Sequence, residues 1–341
     1  MMVGANILGK VLITARSVAA SKEGRIVLES AGHEIVAHAG DRPWGEDEML
    51  RVIEGMDAAI VGLDTMTAKV LAAGAPRLKI IARNGMGHSN VDLQAAAELG
   101  IAVTLTPGAN SISVAELVFG LMLSLARHIP QQDATTHNCG WSRMMGRELY
   151  GKILGVLGTG QIGSEVIARA HAFGMSIAAF DINQRSELCR LYNVNSVARD
   201  EVFQVADFLT LHVPASAQTN GMVNSRTLRL MKATACIINC ARGELVNESD
   251  LYEALKAGLI AGFAADTLLQ EPPPESHPLL SLQNVVFTPH CGAYTAEAVA
   301  RASVMTAQEV VRVLSGAAPL YSVVEVTNLS SKQCREEGNR A

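Results

Sequence analysis

Short apolar runs, several of them rich in β-branched residues, alternate with longer Ala- and Leu-rich stretches along most of this 341-residue chain. That alternation limits the fold more than any other feature. Parallel strands need a crossover of a dozen or more residues between them, and a crossover helix covers the sheet face it packs on. VLITA (11–15), HEIVAHA (33–39), AAIVGL (58–63), LKIIAR (78–83) and IAVTLTP (101–107) read as five strands. VDLQAAAELG (91–100) reads as one of the intervening helices, closed by the glycine favoured just past a helix end. An apolar-periodic helix is expected over 111–128, with Ser111 or Ser113 as its N-cap. A second series follows: KILGVLG (152–158), SIAAFD (176–181), VADFLTLHVP (205–214), ATACIINCA (233–241), IAGFAAD (260–266) and NVVFTPH (284–290). Helical periodicity returns over roughly 294–315. The expected architecture is α/β, with two doubly wound parallel-sheet lobes and a cleft between them.

Composition narrows the function classes. At 49% hydrophobic and 18% charged residues, the chain can fill two cores, which excludes global disorder. A formal net charge of −5 gives no basic stripe, so no nucleic-acid partner is expected. The best apolar run, Leu117 to Ala126, is closed by Glu116 and Arg127 and falls well short of the roughly 20 residues that span a bilayer. No membrane partner is expected. The opening segment MMVGANILGKVLITARS lacks the cationic lead and cleavage site of a signal peptide, so a cytoplasmic location with reduced thiols is expected. The six cysteines form no C-x-x-C pair, which argues for small buried hydrophobes and against a metal site.

The sharpest local motif is Gly158-Thr-Gly160-Gln-Ile-Gly163. Roughly 0.2 chance matches are expected in a chain with this many glycines, so the glycines alone are weak evidence. Their context is strong: the loop follows a strand and opens a helix. Gly158 permits the tight turn, Gly160 close approach of a pyrophosphate, and Gly163 helix-on-strand packing. The helix reads SEVIARAHAFG (164–174). Asp181, 18 residues after Gly163, ends the next strand; a carboxylate there accepts ribose hydroxyls and repels a 2′-phosphate, which favours NAD over NADP. The plain alternative is a structural turn followed by an incidental aspartate.

Three polar residues stand at strand ends in the second series: Arg242 after IINCA, Glu271 before three prolines, and His290 after FTP. Strand ends of a parallel sheet border its ligand crevice. Arginine binds a carboxylate with a bidentate fork, and histidine carries a proton near neutral pH. Together they fit hydride chemistry on a small oxo-acid. Singly, each has a bland reading as a surface charge, a solvated loop residue or a turn residue.

The stretches GRELYGKILGVLGTGQIGSEVIARAHAFGM (146–175), INCARGELVNESDLYEALKAGLIAGFAAD (238–266) and TPHCGA (288–293), with RNGMGHSNVDLQAA (83–96) and PGANSISVAEL (107–117), resemble the D-isomer-specific 2-hydroxyacid dehydrogenases. The nearest branch is that of the D-3-phosphoglycerate dehydrogenases. The resemblance covers roughly residues 10–325. It implies a Rossmann NAD domain (109–292) inserted into a flavodoxin-like catalytic domain (1–108 and 293–326), with 327–341 as a disordered tail. It implies that Arg242 grips the carboxylate and keto oxygen of a 2-oxo or 2-hydroxy acid, that His290 is the acid/base, and that Glu271 orients it. Gly85, Met86 and Gly87, with Arg83 beside them, would hold the substrate carboxylate. Gly158, Gly160, Gln161, Ile162, Gly163, Asp181, Val213, Pro214, Cys240, Ala241, Asp266 and Gly292 would contact NAD. A homodimer or tetramer, built partly through the helices around 111–145, is implied as well.

One departure bears on the substrate. The phosphoglycerate enzymes usually carry an arginine in the segment that reads VGLDTMT (61–67) here; Asp64 stands there instead, so a phosphate is expected to meet a carboxylate. A small carboxylic acid therefore fits better than a phosphate ester. The rival readings are D-3-phosphoglycerate dehydrogenase proper and a non-catalytic, NAD-sensing partner protein like the corepressors that resemble this family.

Overall fold

The computed structural model describes residues 8–38, 40, 42–183 and 185–324; the tail read as 327–341 lies outside the described residues. The chain divides into two compact units, one running to Asn110 and resuming at Thr295, the other formed by Ser111–Tyr294.

In the first unit, β1 (Lys10–Ile13), β2 (Glu34–Ala37), β3 (Ala58–Val61), β4 (Ile80–Arg83) and β5 (Ala102–Thr104) form a parallel sheet in the order β2-β1-β3-β4-β5, the flavodoxin-like arrangement. Every residue of β3 and β4 is buried, as a sheet covered on both faces requires. The helix Ala296–Leu314 packs against the helix Lys22–Ser30, and the approach is close: a Cβ on Gly24 would lie 2.8 Å from the Ser303 carbonyl oxygen. Asp64 follows β3 at the point where the strand order reverses. It is 3% exposed and accepts from Thr14 Oγ1 (2.7 Å), Trp44 N (2.9 Å) and Gly62 N (2.9 Å). Its carboxylate is saturated by the loops it ties together, so the expectation that a phosphate would meet it does not hold. The want of a cation over 61–67 still stands.

In the second unit, β6 (Ile153–Leu157), β7 (Ser176–Phe180), β8 (Asn195–Ser196), β9 (Phe208–Leu211), β10 (Cys236–Asn239), β11 (Gly262–Ala265) and β12 (Val285–Phe287) form a parallel sheet in the order β12-β11-β10-β9-β6-β7-β8. This is the dinucleotide-fold order extended by one strand. Side-chain alternation gives each face its own core: Ile238 belongs to the cluster with Val156 and Val166, while its neighbour Ile237 belongs to that with Leu211 and Phe263.

Three details differ from the sequence reading. β8 is a two-residue, exposed polar edge strand with no apolar run to announce it. The helix read as 111–128 ends at Arg127; His128 is left-handed (φ 52°), and a second helix, Ile129–His137, leaves at a 66° bend. Pro130 lies in that helix's first turn, where its missing N–H costs nothing, whereas an unbroken helix would force its ring against a carbonyl four residues back. Ser111 and Ser113 lie inside the helix Ser111–Arg127 and do not precede it as caps. Among the described residues no single helix is long and apolar enough to cross a membrane.

Candidate active site

The glycine loop sits where the strand order of the second sheet reverses, between the ends of β6 and β9. Gly158 has φ 95°, and a Cβ on it would lie 2.6 Å from the His212 carbonyl oxygen. A Cβ on Gly163 would overlap the Gly158 carbonyl oxygen, so this helix can lie against its strand only with glycine there. Gly160 is different: its missing Cβ would meet nothing within 4 Å, which leaves bare backbone facing open space. The helix Gln161–Ala172 starts there, and its bond from Ser164 N to Gly160 O (2.9 Å) leaves the amides of Gln161, Ile162 and Gly163 ahead of the ladder. A helix start of this kind is an anion site.

Asp181 stands at the end of β7. Oδ2 accepts from Thr159 N (2.6 Å) and Oδ1 from Asn183 N (2.8 Å). Partial burial opposes its ionisation, but the N–H bonds from Asn183 and Thr159, aided by the Arg185 charge, hold the carboxyl below the usual range. On the other side of the reversal point, His212 donates its backbone N–H to Leu157 O (2.7 Å). A Cβ on Gly158 would also lie 3.0 Å from Val213 Cγ1, and Thr219 Oγ1 donates to Pro214 O (2.6 Å), which fixes the loop after β9. The His212 residue is half-buried, but its ring Nδ1 is enclosed and has no hydrogen-bond partner among the described residues. Burial pushes its pKa down to about 3, so the ring is neutral and shares a hydrogen bond with Thr210 Oγ1 (2.9 Å).

Arg242, Glu271 and His290 come together around a cavity of about 220 Å³, lined also by Gly243, Thr267 and Leu268. His290 Nδ1 lies 2.6 Å from Glu271 Oε2, while Glu271 Oε1 accepts from Leu268 N (3.0 Å). Both side chains keep contact with solvent, at 52% and 38% exposure, and His290 holds φ 51°. Such a backbone is rare for a non-glycine residue and marks a turn fixed by its surroundings. The fixing group is Asp266. Only 3% exposed, it accepts from Thr288 Oγ1 (2.5 Å), Cys291 N (2.8 Å) and Gly292 N (2.8 Å). A Cβ on Gly292 would come within 2.9 Å of Asp266 Oδ2. Asp266, expected to touch NAD, therefore directs both carboxylate oxygens to the turn that carries His290. Arg242 donates from Nη1 to the Ala241 carbonyl (2.6 Å), and its own carbonyl accepts from Asn239 Nδ2 (2.9 Å). The Cys240 thiol is raised by burial and by the Asp266 charge, which marks it as an inert packing group.

The loop expected to hold a substrate carboxylate belongs to the first unit. Gly85 (φ 135°) donates to Thr106 Oγ1 (3.0 Å), and Met86 is exposed; Gly87 follows it. Arg83 is 7% exposed and donates from Nη1 to the Asn84 carbonyl, so it packs under its own loop. Sequence reasoning missed Thr159 and Thr288, which hold Asp181 and Asp266, and the pair Glu248–His277 (3.0 Å). Position in the first turn of a helix was the only signal Glu248 offered.

A doubly wound sheet with a glycine loop at its reversal point, an acid at the end of the next strand and an Arg–Glu–His set around one cavity defines a dinucleotide-binding protein of the dehydrogenase type. The family model for the D-isomer specific 2-hydroxyacid dehydrogenase NAD binding domain matches residues 119–292, and the chain belongs to that family. It is 43% identical to a D-3-phosphoglycerate dehydrogenase of Methanocaldococcus jannaschii, over 85% of this chain and 55% of that one. It is 41% identical to a hydroxypyruvate reductase of Thermotoga maritima, over 79% of this chain and 88% of that one. The TT0316 protein of Thermus thermophilus superposes with a TM-score of 0.85 at 32% identity, covering 92% of this chain and all of that one. The chain spans about half the length of the D-3-phosphoglycerate dehydrogenases it matches.

The matched domain is an NAD-binding one, and the residues present fit the dinucleotide. Gly160 leaves the cradle a side chain would fill, the first amides of the following helix lie beside it, and Asp181 at the end of the next strand is a carboxylate of the kind that suits ribose hydroxyls.

Proposed function

We propose that this chain is an NAD-dependent oxidoreductase that interconverts small 2-oxo and D-2-hydroxy acids. The observation that carries the reading is the 2.6 Å contact between His290 Nδ1 and Glu271 Oε2 at the cavity that Arg242 also lines. Bound nicotinamide supplies or takes up a hydride at substrate C2. Glu271, as an acceptor, fixes the hydrogen on His290 Nδ1 and leaves Nε2 to exchange a proton with the C2 oxygen. Arg242 offers its remaining N–H groups to the substrate carboxylate and to the charge that develops on the C2 oxygen. The amides of Gln161 and Ile162 and the Asp181 carboxylate hold the dinucleotide. Gly85, Met86 and Gly87 bind the substrate carboxylate.

The missing cation over 61–67 favours an unphosphorylated acid. D-3-phosphoglycerate dehydrogenase proper is the second reading, on the 43% identity to a protein of that name. The partner is a small acid, and a second copy makes a homodimer or tetramer; the exposed Trp141 and Met145 beside the helices at 111–137 support that assembly. A cytoplasmic location goes with the free thiols of Cys139, Cys189, Cys236, Cys240 and Cys291. NADH oxidation should be compared with hydroxypyruvate, glyoxylate, pyruvate and phosphohydroxypyruvate at matched concentration. Preference for phosphohydroxypyruvate selects the second reading, and turnover of none of them a nucleotide-sensing partner protein. His290→Ala should lower kcat by about 10²–10⁴-fold, the usual worth of general acid catalysis, with NADH affinity retained; unchanged turnover overturns the assignment.

A further inference from the structure

Glu271 sits on the segment between β11 and β12, a proline-rich stretch with little regular structure. A carboxylate on such a segment can orient an imidazole only if the backbone beneath it is held. A second carboxylate–imidazole pair holds it. Glu248, the first residue of the helix Glu248–Lys256, accepts from Leu269 N at Oε1 (2.9 Å) and meets His277 Nε2 at Oε2 (3.0 Å). The two side chains are 17% and 9% exposed, far more enclosed than Glu271 and His290. One carboxylate thus ties down both ends of the segment, two residues before Glu271 and six after it. Beneath it lies Gly243, next to Arg242, where a Cβ would overlap the Leu268 and Leu269 backbone. Leu268 N in turn donates to Glu271 Oε1. The chain of contacts runs unbroken from His277 through Glu248, Leu269 and Leu268 to Glu271 and His290.

We propose that Glu248 and His277 are positioning residues that set Glu271 against His290 by fixing the 268–277 segment at both ends. The proposal rests on the functional reading above, in which Glu271 orients a proton-transferring His290. With the imidazole hydrogen on His277 Nε2, the Glu248 carboxylate has an acceptor for each N–H donor. The near-isosteric glutamine has one oxygen, so it either leaves one donor unmatched or drives the imidazole hydrogen to the enclosed Nδ1, which has no partner among the described residues. Glu248→Gln therefore weakens the clamp without emptying the space. A displacement of an ångström or so at Glu271 is worth up to about 100-fold in rate.

The test is a double-mutant cycle in the full chain with NADH and the acid it turns over fastest. Glu248→Gln and His277→Ala should each lower kcat by about 10- to 100-fold, with the NADH dissociation constant from fluorescence titration unchanged. His277→Gln, whose amide can reach Glu248, should recover most of the loss. In a Glu271→Gln background, Glu248→Gln should cost no further activity, because its effect passes through Glu271. Amide hydrogen exchange at Leu268 and Leu269 should quicken in Glu248→Gln. A Glu248→Gln enzyme with full kcat, losses that multiply in the Glu271→Gln background, or unchanged exchange would each overturn the proposal. Full activity in Glu271→Gln alone would instead overturn the role of Glu271 in the functional reading, and this proposal with it.

Discussion

Acidification should destabilise this fold through one imidazole before its hydrogen-bonded carboxylates titrate. The His212 ring is held at a pKa of about 3 by burial, against an ordinary value near 6.5. Its folded value is depressed, so below pH 6.5 the unfolded chain binds the extra proton and the folded chain does not. Stability is therefore full above about pH 6.5 and falls as the pH drops. At 1.36 kcal/mol for each tenfold difference in proton affinity, the loss is about 2 kcal/mol at pH 5 and approaches roughly 5 kcal/mol near pH 3. Asp57, Asp181 and Asp207 are held below the ordinary carboxylate range despite partial burial, by their hydrogen-bonded partners. Their contributions are lost only below about pH 4, outside the window. His33, lowered by its own burial, acts in the same direction but is common to both proteins compared. The comparison is with His212→Gln, which cannot titrate and keeps an amide able to reach Thr210. Urea unfolding at pH 7 and pH 5 should show a loss about 2 kcal/mol smaller in the variant than in the parent. Parallel losses, or a His212 ring proton whose NMR shift titrates near pH 6.5 in the folded protein, would refute the reasoning.

Three further outcomes are expected. Gly163→Val should fold poorly or bind NADH at least about 100-fold more weakly, because its side chain must push the helix off the Gly158 carbonyl; isothermal titration reads the affinity and circular dichroism the fold. Asp181→Ala should narrow the preference for NADH over NADPH by about tenfold or more, by removing the carboxylate that repels a 2′-phosphate; the ratio of kcat/KM values for the two cofactors reports it. The Cys291 thiol is raised by burial and by the Asp266 charge, so its alkylation by iodoacetamide at pH 7.5 should be several-fold slower than that of a free thiol, as peptide mass spectrometry over a time course measures.

Much of the fold was legible because burial on both faces leaves a dense signal. β3, β4, β9, β10 and β11 are fully buried and stand out as continuous apolar runs. β8 escaped because an exposed polar edge strand has no such run. Of the candidate site, the glycine spacing and the positions of Arg242 and His290 just past β10 and β12 could be read directly, since each sits next to an element with a strong pattern; Glu271 lies six residues past β11, on an irregular segment. The carboxylates could not be sorted. Asp64, Asp181, Asp266 and Glu248 look alike in a sequence, yet Asp64 ties loops, Asp181 borders the glycine loop, Asp266 fixes the His290 turn and Glu248 anchors the Glu271 segment.

The sequence by itself determined two α/β series, the glycine loop with its acid, and the three residues expected to act on substrate, because periodicity and spacing are local properties. Only the tertiary structure decided which strand ends face one another and which donors each carboxylate receives. Most of those donors come from residues 20 to 50 positions away, such as Thr14 for Asp64 and Cys291 for Asp266. A carboxylate's role is set by what surrounds it, and the fold alone brings those surroundings together.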